Sequence, residues 1–222
     1  MTFSDWVFDL DNTLYPASSS LFPQIHARMG LFIAERFGVT VEEAHRMQRQ
    51  YYTHYGTTLR GLMELHEMAP DEFLAYVHDI DHGVLEPSPR LDAALGKIEG
   101  RKWVFTNGSA RHAEKVLESL RLSHHFQGIF DIKAADYLPK PAIETYRKML
   151  EQYAIDPHKS VMFEDLPQNL VAAAELGMTT VWVRQESHPD GPFGKDVPMG
   201  SIDHVTDDLA GWLESNLETR LE

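Results

Sequence analysis

The sequence predicts an α/β fold: a doubly wound, Rossmann-like parallel sheet with an inserted all-helical cap. From Lys102 onward, short and nearly continuous apolar runs of β-prone residues alternate with helix-like segments, which is typical of parallel strands covered on both faces. Before that point, the stretch that follows Pro16 has apolar residues at helical spacing. We therefore predict an α/β core from residues 1–15 and 88–222 and a helical cap from residues 16–87.

The first predicted strand is Trp6-Val7-Phe8, and four helices are expected to follow it in the cap. Their apolar positions span four stretches: Leu21 to Phe37, Val41 to Tyr55, Leu59 to Met68 and Phe73 to Ile80. Pro70-Asp71-Glu72 suits the start of the fourth helix, because proline is tolerated in a first turn and acidic side chains complement the helix dipole there. Pro87-Ser88-Pro89 marks the junction with the core.

The core continues with further β-prone apolar runs separated by helix-like segments. These runs are Trp103-Val104-Phe105, Ile129-Phe130-Asp131-Ile132, Val161-Met162-Phe163 and Thr180-Val181-Trp182-Val183. Residues Gln185 to Gly200 are rich in glycine and proline and are predicted to form a surface loop. A last helix is expected around Asp207 to Leu217.

Composition narrows the class of protein. The 222 residues are 43% hydrophobic and include no cysteine, which indicates a soluble globular protein and excludes disulfides, thiol catalysis and cysteine-ligated zinc. No apolar run approaches the roughly 18 residues of a membrane span, so we expect a cytoplasmic protein without a membrane partner. The net charge of −14 argues against a nucleic-acid polymer as partner. The sequence gives no indication of the oligomeric state.

The most informative motif follows the first predicted strand. Asp9, Asp11 and Thr13 occupy alternate positions there, and side chains two residues apart on an extended chain project to the same side. Two close carboxylates repel each other unless one is protonated or a cation lies between them. Because the donors in view are oxygens, the cation indicated is Mg²⁺.

Polar side chains also follow three later strands, at the edge where parallel strands place their carboxyl ends. They are Thr106-Asn107-Gly108-Ser109, Lys140 and Glu164-Asp165. A hydroxyl, backbone amides opening a helix, an ammonium group and a metal are together the donors needed to hold a phosphoryl group. Each motif alone has a plainer reading: Ser109 as a helix N-cap, Lys140 as a solvated loop lysine and Glu164-Asp165 as a helix start.

Taken in order, these motifs resemble those of the haloacid dehalogenase superfamily, on its branch of Mg²⁺-dependent phosphatases. The four motifs are Asp9-Leu10-Asp11-Asn12-Thr13, Thr106-Asn107-Gly108, Lys140-Pro141 and Glu164-Asp165. Within that superfamily, three segments are similar to pyrimidine 5′-nucleotidases. They are Asp11-Asn12-Thr13-Leu14-Tyr15-Pro16, Tyr55-Gly56-Thr57-Thr58-Leu59-Arg60-Gly61-Leu62 and Val104-Phe105-Thr106-Asn107-Gly108.

The resemblance implies a mechanism of phosphate-ester hydrolysis. Asp9 would be the nucleophile that forms an aspartyl-phosphate, Asp11 the general acid and base, and Lys140 a cation that offsets the meeting of two anions. Thr106 and the amide of Asn107 would hold the phosphoryl oxygens. Dehalogenases attack carbon and have no alkoxide to protonate, so Asp11 favours phosphate chemistry.

The resemblance also implies a metal site and a substrate. Mg²⁺ would be held by Asp9, the backbone carbonyl of Asp11 and Asp165, with Glu164 reaching it directly or through water. Arg60, Thr57 and Thr58 in the cap would recognise the nucleoside of a pyrimidine 5′-monophosphate; the plainer reading of Arg60 is an ordinary exposed arginine.

Three alternative functions stay open. A phosphatase of another small metabolite, such as phosphoglycolate or a sugar phosphate, would use the same core. A phosphomutase of the superfamily would need an acid/base in the cap, and a non-catalytic binding protein would be expected to lack at least one of the acids. The 12 histidines form no zinc-protease motif and are expected to be surface or core residues.

Overall fold

A computed structural model describes residues 3–185 and 197–218, and within them the chain folds around one parallel sheet. The strands, in chain order, are β1 Asp5–Phe8, β2 Arg101–Phe105, β3 Gly128–Phe130, β4 Ser160–Glu164, β5 Thr179–Val183 and β6 His204–Thr206. They lie in the order β3-β2-β1-β4-β5-β6. The predicted α/β fold with a helical insert is confirmed. Strand β6 was not predicted, and most of the predicted loop from Gln185 to Gly200 lies outside the described residues.

Strand β1 lies in the middle of the sheet, paired with β2 on one side and β4 on the other. All four of its residues are buried. Because side chains alternate along a strand, Trp6 and Phe8 face one apolar layer and Val7 faces the other. The Phe8 ring stacks on that of Phe163 in β4, with centroids 4.6 Å apart. Because apolar layers pack on both of its faces, we expect the strand to be rigid as far as Asp9, where the loop begins.

The helical insert consists of α1 Leu21–Phe37, α2 Val41–Tyr55, α3 Thr58–His66 and α4 Pro70–Val77, all between β1 and β2. It has its own apolar cluster, in which the rings of Phe32 and Phe73 meet edge to face at 5.2 Å. The predicted positions of all four helices are confirmed. The last two end earlier than predicted, because Glu67 adopts a left-handed conformation after α3 and the chain leaves helical geometry at His78.

The remaining helices cover the sheet: α5 Pro89–Gly96, α6 Ala110–Leu120, α7 Ile143–Tyr153, α8 Pro167–Glu175 and α9 Leu209–Glu218. Helix α6 begins at Ser109, whose hydroxyl accepts a hydrogen bond from the backbone N–H of His112, as the N-cap reading predicts. Across the described ranges, no helix combines the length and apolar character that crossing a membrane requires.

Candidate active site

The carboxyl ends of β1, β2 and β4 meet around the buried ammonium group of Lys140. Its Nζ donates to Asp9 Oδ1 at 2.7 Å, to Glu164 Oε1 at 2.7 Å and to the backbone carbonyl of Phe105 at 2.8 Å. Each of the three N–H groups of the ammonium therefore has an acceptor, one at the end of each strand. The second oxygen of Asp9, Oδ2, accepts from the Thr13 hydroxyl at 3.0 Å. Both carboxylate oxygens of Asp9 are thus held in a fixed orientation.

Three carboxylates, those of Asp9, Glu164 and Asp165, lie close together, and the single charge of Lys140 cannot neutralise all of them. Burial raises the pKa of Asp9 to about 7 against the opposing pull of Lys140. Burial, together with the charges of Glu164 and Asp9, raises the pKa of Asp165 well above its ordinary value. Burial acts to lower the pKa of Lys140, but the charges of Asp9 and Glu164 outweigh it and raise that pKa above its usual range.

These carboxylates have the composition and spacing of a divalent-cation site. One oxygen each from Asp9, Glu164 and Asp165 can be chosen so that all three lie within 4.8 Å of one another. Oxygen ligands are those that Mg²⁺ prefers, and a cation would relieve the repulsion that raises the pKa values of Asp9 and Asp165. The residues present therefore fit a bound Mg²⁺.

Glu164 accepts three hydrogen bonds from protein groups, one more than Asp9. Oε1 accepts from Lys140 Nζ and from Asn169 Nδ2, the latter at 2.6 Å, and Oε2 accepts from the backbone N–H of Leu166 at 2.8 Å. This arrangement favours Asp9 and Asp165 as direct ligands, with Glu164 holding Lys140 in place.

Asp11 lies beside this group and is held by residues from separate parts of the chain. His112 Nε2 lies 3.0 Å from its Oδ1, and the hydroxyl of Tyr15 donates to the same oxygen at 2.5 Å. Although burial opposes it, the charge of His112 and these hydrogen bonds lower the pKa of Asp11. No hydrogen bond to Oδ2 occurs among the described residues, so that oxygen is available for a reacting group.

Behind His112 lie two further histidines. The rings of His78 and His112 stack with centroids 4.3 Å apart, and His78 Nδ1 is 3.0 Å from the hydroxyl of Ser109. His82 Nε2 is 3.3 Å from His112 Nδ1. Burial, followed by the charge of His112, lowers the pKa of His78 to about 3. His78 and His82 follow α4, so the helical insert and the core meet at Asp11 through these rings.

Thr106 and Asn107 lie at the end of β2, as predicted. The Thr106 hydroxyl accepts from the backbone N–H of Gly108 at 2.9 Å. The Asn107 side chain brackets the backbone of Lys140: its Oδ1 accepts from the Lys140 N–H at 2.9 Å and its Nδ2 donates to the Lys140 carbonyl at 3.3 Å. Asn107 therefore fixes the backbone of Lys140 beside the carboxyl ends of the strands.

The three predicted recognition residues of the insert have local partners. The Thr57 hydroxyl accepts from the backbone N–H of Arg60 as the N-cap of α3, and Thr58 is buried. Arg60 forms an ion pair with Glu64 and lines a cavity of about 350 Å³ that Pro139 and Pro141 also line. Within the described ranges, no hydrogen bond or ion pair joins Arg60, Thr57 or Thr58 to the buried acids.

A larger cavity of about 640 Å³ lies between the insert and the core. His78 and His112 form part of its wall, and it therefore adjoins the residues that hold Asp11. Four cationic side chains also line it: Arg28, Arg111, Lys115 and Lys133.

The sequence did not reveal four residues of this site, namely Tyr15, His78, His112 and Asn169. His112 is the third residue of α6, directly after the Thr106 motif, and Asn169 follows Glu164 by five positions on α8. Those positions were the only local signals; Asn169 contacts nearby Glu164, whereas His112 contacts Asp11 from a distant part of the chain. The expectation of core histidines holds for the burial of His112 but omitted its contact with Asp11.

The raised pKa of Asp9 predicts a specific pH dependence for the protein in chelator. A carboxyl group whose pKa is higher in the folded than in the unfolded protein stabilises the fold at low pH, and that contribution is lost as pH rises through the folded pKa. The quantity to compare is the free energy of unfolding of the wild type minus that of Asp9→Asn. We expect this difference to decrease as pH rises from 3.8 to about 7. The expected loss is about 1.4 kcal/mol for each unit by which the pKa is raised.

Urea unfolding of both proteins across this pH range measures the difference, and the subtraction removes the contribution of other titrating groups. Mg²⁺ should restore stability above pH 7 in the wild type, because a ligand that binds only the folded state stabilises it. A difference that is flat or rises with pH would contradict the raised pKa of Asp9.

Comparison with known proteins agrees with this geometry. A protein-family profile described as haloacid dehalogenase-like hydrolase matches residues 7–177. Phosphate metabolism protein 8 of Saccharomyces cerevisiae is 26% identical over 189 residues, which cover 77% of this chain and 58% of the yeast protein. Glyceraldehyde 3-phosphate phosphatase of Methanothermobacter thermautotrophicus is 22% identical over 193 residues, or 81% of this chain and 84% of the archaeal enzyme.

Solved structures share the fold at lower identity. L-2-haloacid dehalogenase of Xanthobacter autotrophicus aligns over the full length of both chains with a TM-score of 0.59 and 12% identity. A haloacid dehalogenase-like hydrolase of Streptococcus pneumoniae aligns over 96% of this chain and 98% of its own, with a TM-score of 0.63 and 14% identity. The family match covers more than half of the chain, including all four motifs, and the chain therefore belongs to the haloacid dehalogenase-like hydrolases.

Proposed function

We propose that this protein is a Mg²⁺-dependent phosphomonoester hydrolase that acts through an aspartyl-phosphate on Asp9. The observation that carries the proposal is the Lys140 ammonium group held between Asp9 and Glu164, with Asp165 beside them, at the carboxyl edge of the sheet. The names of the yeast and archaeal relatives support phosphate chemistry. The fold shared with dehalogenases does not distinguish the two reactions.

The first step is displacement at phosphorus. Asp9 attacks, a new P–O bond forms to its carboxylate, and the bond to the leaving alkoxide breaks. Lys140 and Thr13 orient the Asp9 carboxylate, while Thr106 and the backbone N–H of Asn107 hold the phosphoryl oxygens. When bound by Asp9, Asp165 and the Asp11 carbonyl, Mg²⁺ supplies the positive charge that offsets repulsion between the nucleophile and the phosphate.

Asp11 transfers a proton in each of the two steps. Its free Oδ2 gives a proton to the departing alkoxide in the first step. In the second step it takes a proton from the water that attacks the aspartyl-phosphate, which releases inorganic phosphate and frees the Asp9 carboxylate.

The contacts behind Asp11 support this role. Asp11, His112, His82 and the backbone carbonyl of Ile80 form a chain of three hydrogen bonds. Its two ends, a carboxylate and a carbonyl, only accept, and two neutral imidazoles supply only two protons. Three hydrogen bonds along this chain would need one proton more than two neutral imidazoles carry, and that proton would be the one that Asp11 passes to the leaving group.

Replacing Asp11 with asparagine tests this role. We expect kcat for an alkyl phosphate to fall by about 10²- to 10⁴-fold, the usual size of a general acid–base contribution. The fall should be much smaller for p-nitrophenyl phosphate, because p-nitrophenolate leaves without a proton. Steady-state phosphate release on both substrates measures the ratio, and equal losses on the two would remove Asp11 from leaving-group protonation.

For the substrate, we propose a pyrimidine nucleoside 5′-monophosphate. The proposal is supported by the similarity of residues Tyr55 to Leu62 to pyrimidine 5′-nucleotidases. A cavity of about 640 Å³ lined by His112, which contacts Asp11, has a volume in the usual range for small-molecule sites. The helical insert would act as a cap that excludes water from the reacting phosphoryl group. A second candidate is another small phosphate ester, favoured by the archaeal relative that matches over most of its length.

A panel of phosphate esters, assayed with and without Mg²⁺, separates these candidates. The panel contains pyrimidine and purine 5′-monophosphates, phosphoglycolate, sugar phosphates and glyceraldehyde 3-phosphate. The nucleotide proposal predicts the highest kcat/KM for pyrimidine monophosphates. A preference for a sugar phosphate or phosphoglycolate would overturn it, and isomerised phosphorylated product without free phosphate would indicate a phosphomutase.

A further inference from the structure

A second cluster of potential metal ligands lies outside the proposed active site. It joins Asp92 of α5 to His124 and His125, which lie in the turn between α6 and β3. His125 Nε2 is 2.8 Å and His124 Nε2 is 3.2 Å from the same oxygen, Asp92 Oδ1. Two neighbouring imidazoles therefore point their Nε2 atoms at one carboxylate oxygen.

These separations are close to those that a tetrahedral metal ion imposes on its ligands. Zinc binds imidazole nitrogen and carboxylate oxygen at about 2.0–2.2 Å, so two of its tetrahedral ligands lie roughly 3.3 Å apart. The nitrogen-to-oxygen distances of 2.8 and 3.2 Å are slightly shorter than that. An ion could enter after small side-chain shifts, and its bonds to His125 Nε2 and Asp92 Oδ1 would replace the hydrogen bond between them.

Exposure of the three side chains leaves room for an ion and for a fourth ligand. The His125 side chain is only 8% exposed and fixes one ligand against the core, whereas those of His124 and Asp92 are 64% and 46% exposed. A site with three protein ligands and one open position is a familiar arrangement for zinc.

We propose that Asp92, His124 and His125 form a binding site for a divalent transition-metal ion of the zinc class. Its two nitrogens and one oxygen distinguish it from the oxygen-only group of Asp9, Glu164 and Asp165, which suits Mg²⁺. The ion would join α5, the first helix after the insert, to the turn that leads into β3. Its expected effect is therefore on the stability of the core and not on phosphate chemistry.

Co²⁺ binding to the untagged full-length protein tests the proposal, with Mg²⁺ kept saturating so that the acidic group is occupied. We expect one equivalent of Co²⁺ to bind, with the visible absorption of a tetrahedral site, and Zn²⁺ to displace it and raise Tm. His124→Gln changes an exposed side chain, so it should fold normally and lower the affinity at least tenfold. Asp92→Asn should do the same.

Two controls make the outcome decisive. His54→Gln removes an exposed histidine of the helical insert and should bind Co²⁺ like the wild type. Asp9→Asn should keep the full equivalent of Co²⁺, which separates this site from the acidic group. The proposal is overturned if the wild type gives no tetrahedral Co²⁺ spectrum, or if His124→Gln and Asp92→Asn bind Co²⁺ as tightly as the wild type.

Discussion

Asp9→Asn is expected to lower phosphate release by on the order of 10⁴-fold or more, because an amide cannot form the aspartyl-phosphate on which both steps of the proposed mechanism depend. The substitution keeps the size of the side chain, and the amide oxygen can still accept from Lys140. The fold should therefore be retained. Phosphate release at saturating substrate and Mg²⁺ measures the effect, with circular dichroism to check the fold.

Asp156→Asn is the matched control, since Asp156 precedes β4 and so lies toward the opposite edge of the sheet from Glu164. It should retain wild-type turnover. If Asp9→Asn turned over substrate at a rate near that of Asp156→Asn, the nucleophile would have to be a different residue.

The second large effect is expected for Lys140→Met. This change removes the ammonium group between two buried carboxylates while keeping a side chain of similar length. Breaking a buried ion pair by removing one partner typically costs 3–5 kcal/mol, because the remaining charge has no compensation. We expect a loss of about that size in the free energy of unfolding at pH 7 without Mg²⁺, together with loss of activity.

Lys148→Met provides the comparison, because Lys148 pairs with Asp136 on the surface and the two side chains are 41% and 85% exposed. Exposed pairs contribute about 0–1 kcal/mol. The double variant Asp9→Asn with Lys140→Met should be less destabilised than the sum of the single changes, since one uncompensated carboxylate is then gone. Equal free energies of unfolding for Lys140→Met and Lys148→Met would show that the Lys140 ammonium group does not stabilise the buried carboxylates.

The sequence predicted those parts of the fold and site that depend on local patterns. The apolar runs identify β1 to β5, of which β1 and β4 are buried along their whole length. The edge rule for parallel sheets then brings Asp9, Thr106, Lys140 and Glu164 together. Strand β6 was missed because it has three residues, His204–Thr206, and its first two are exposed, so it carries no apolar run.

Other features of the site depend on contacts between distant segments. The ring of His112 reaches Asp11 only because α6 packs beside the loop after β1, and no pattern of residues near His112 specifies that packing. Arg60 shows the opposite case: its position on α3 places Glu64 one turn away, and the two side chains form a local ion pair.

The stacking of His78 on His112 has a consequence for catalysis. His78 directly follows the last helix of the insert, whereas His112 belongs to a core helix and bonds to Asp11. A hinge motion that lifted the insert from the sheet would slide the two rings apart and loosen the imidazole that orients Asp11. In the proposed mechanism, Asp11 would then be fully aligned only when the insert is closed on the core, so that proton transfer would accompany enclosure of the substrate.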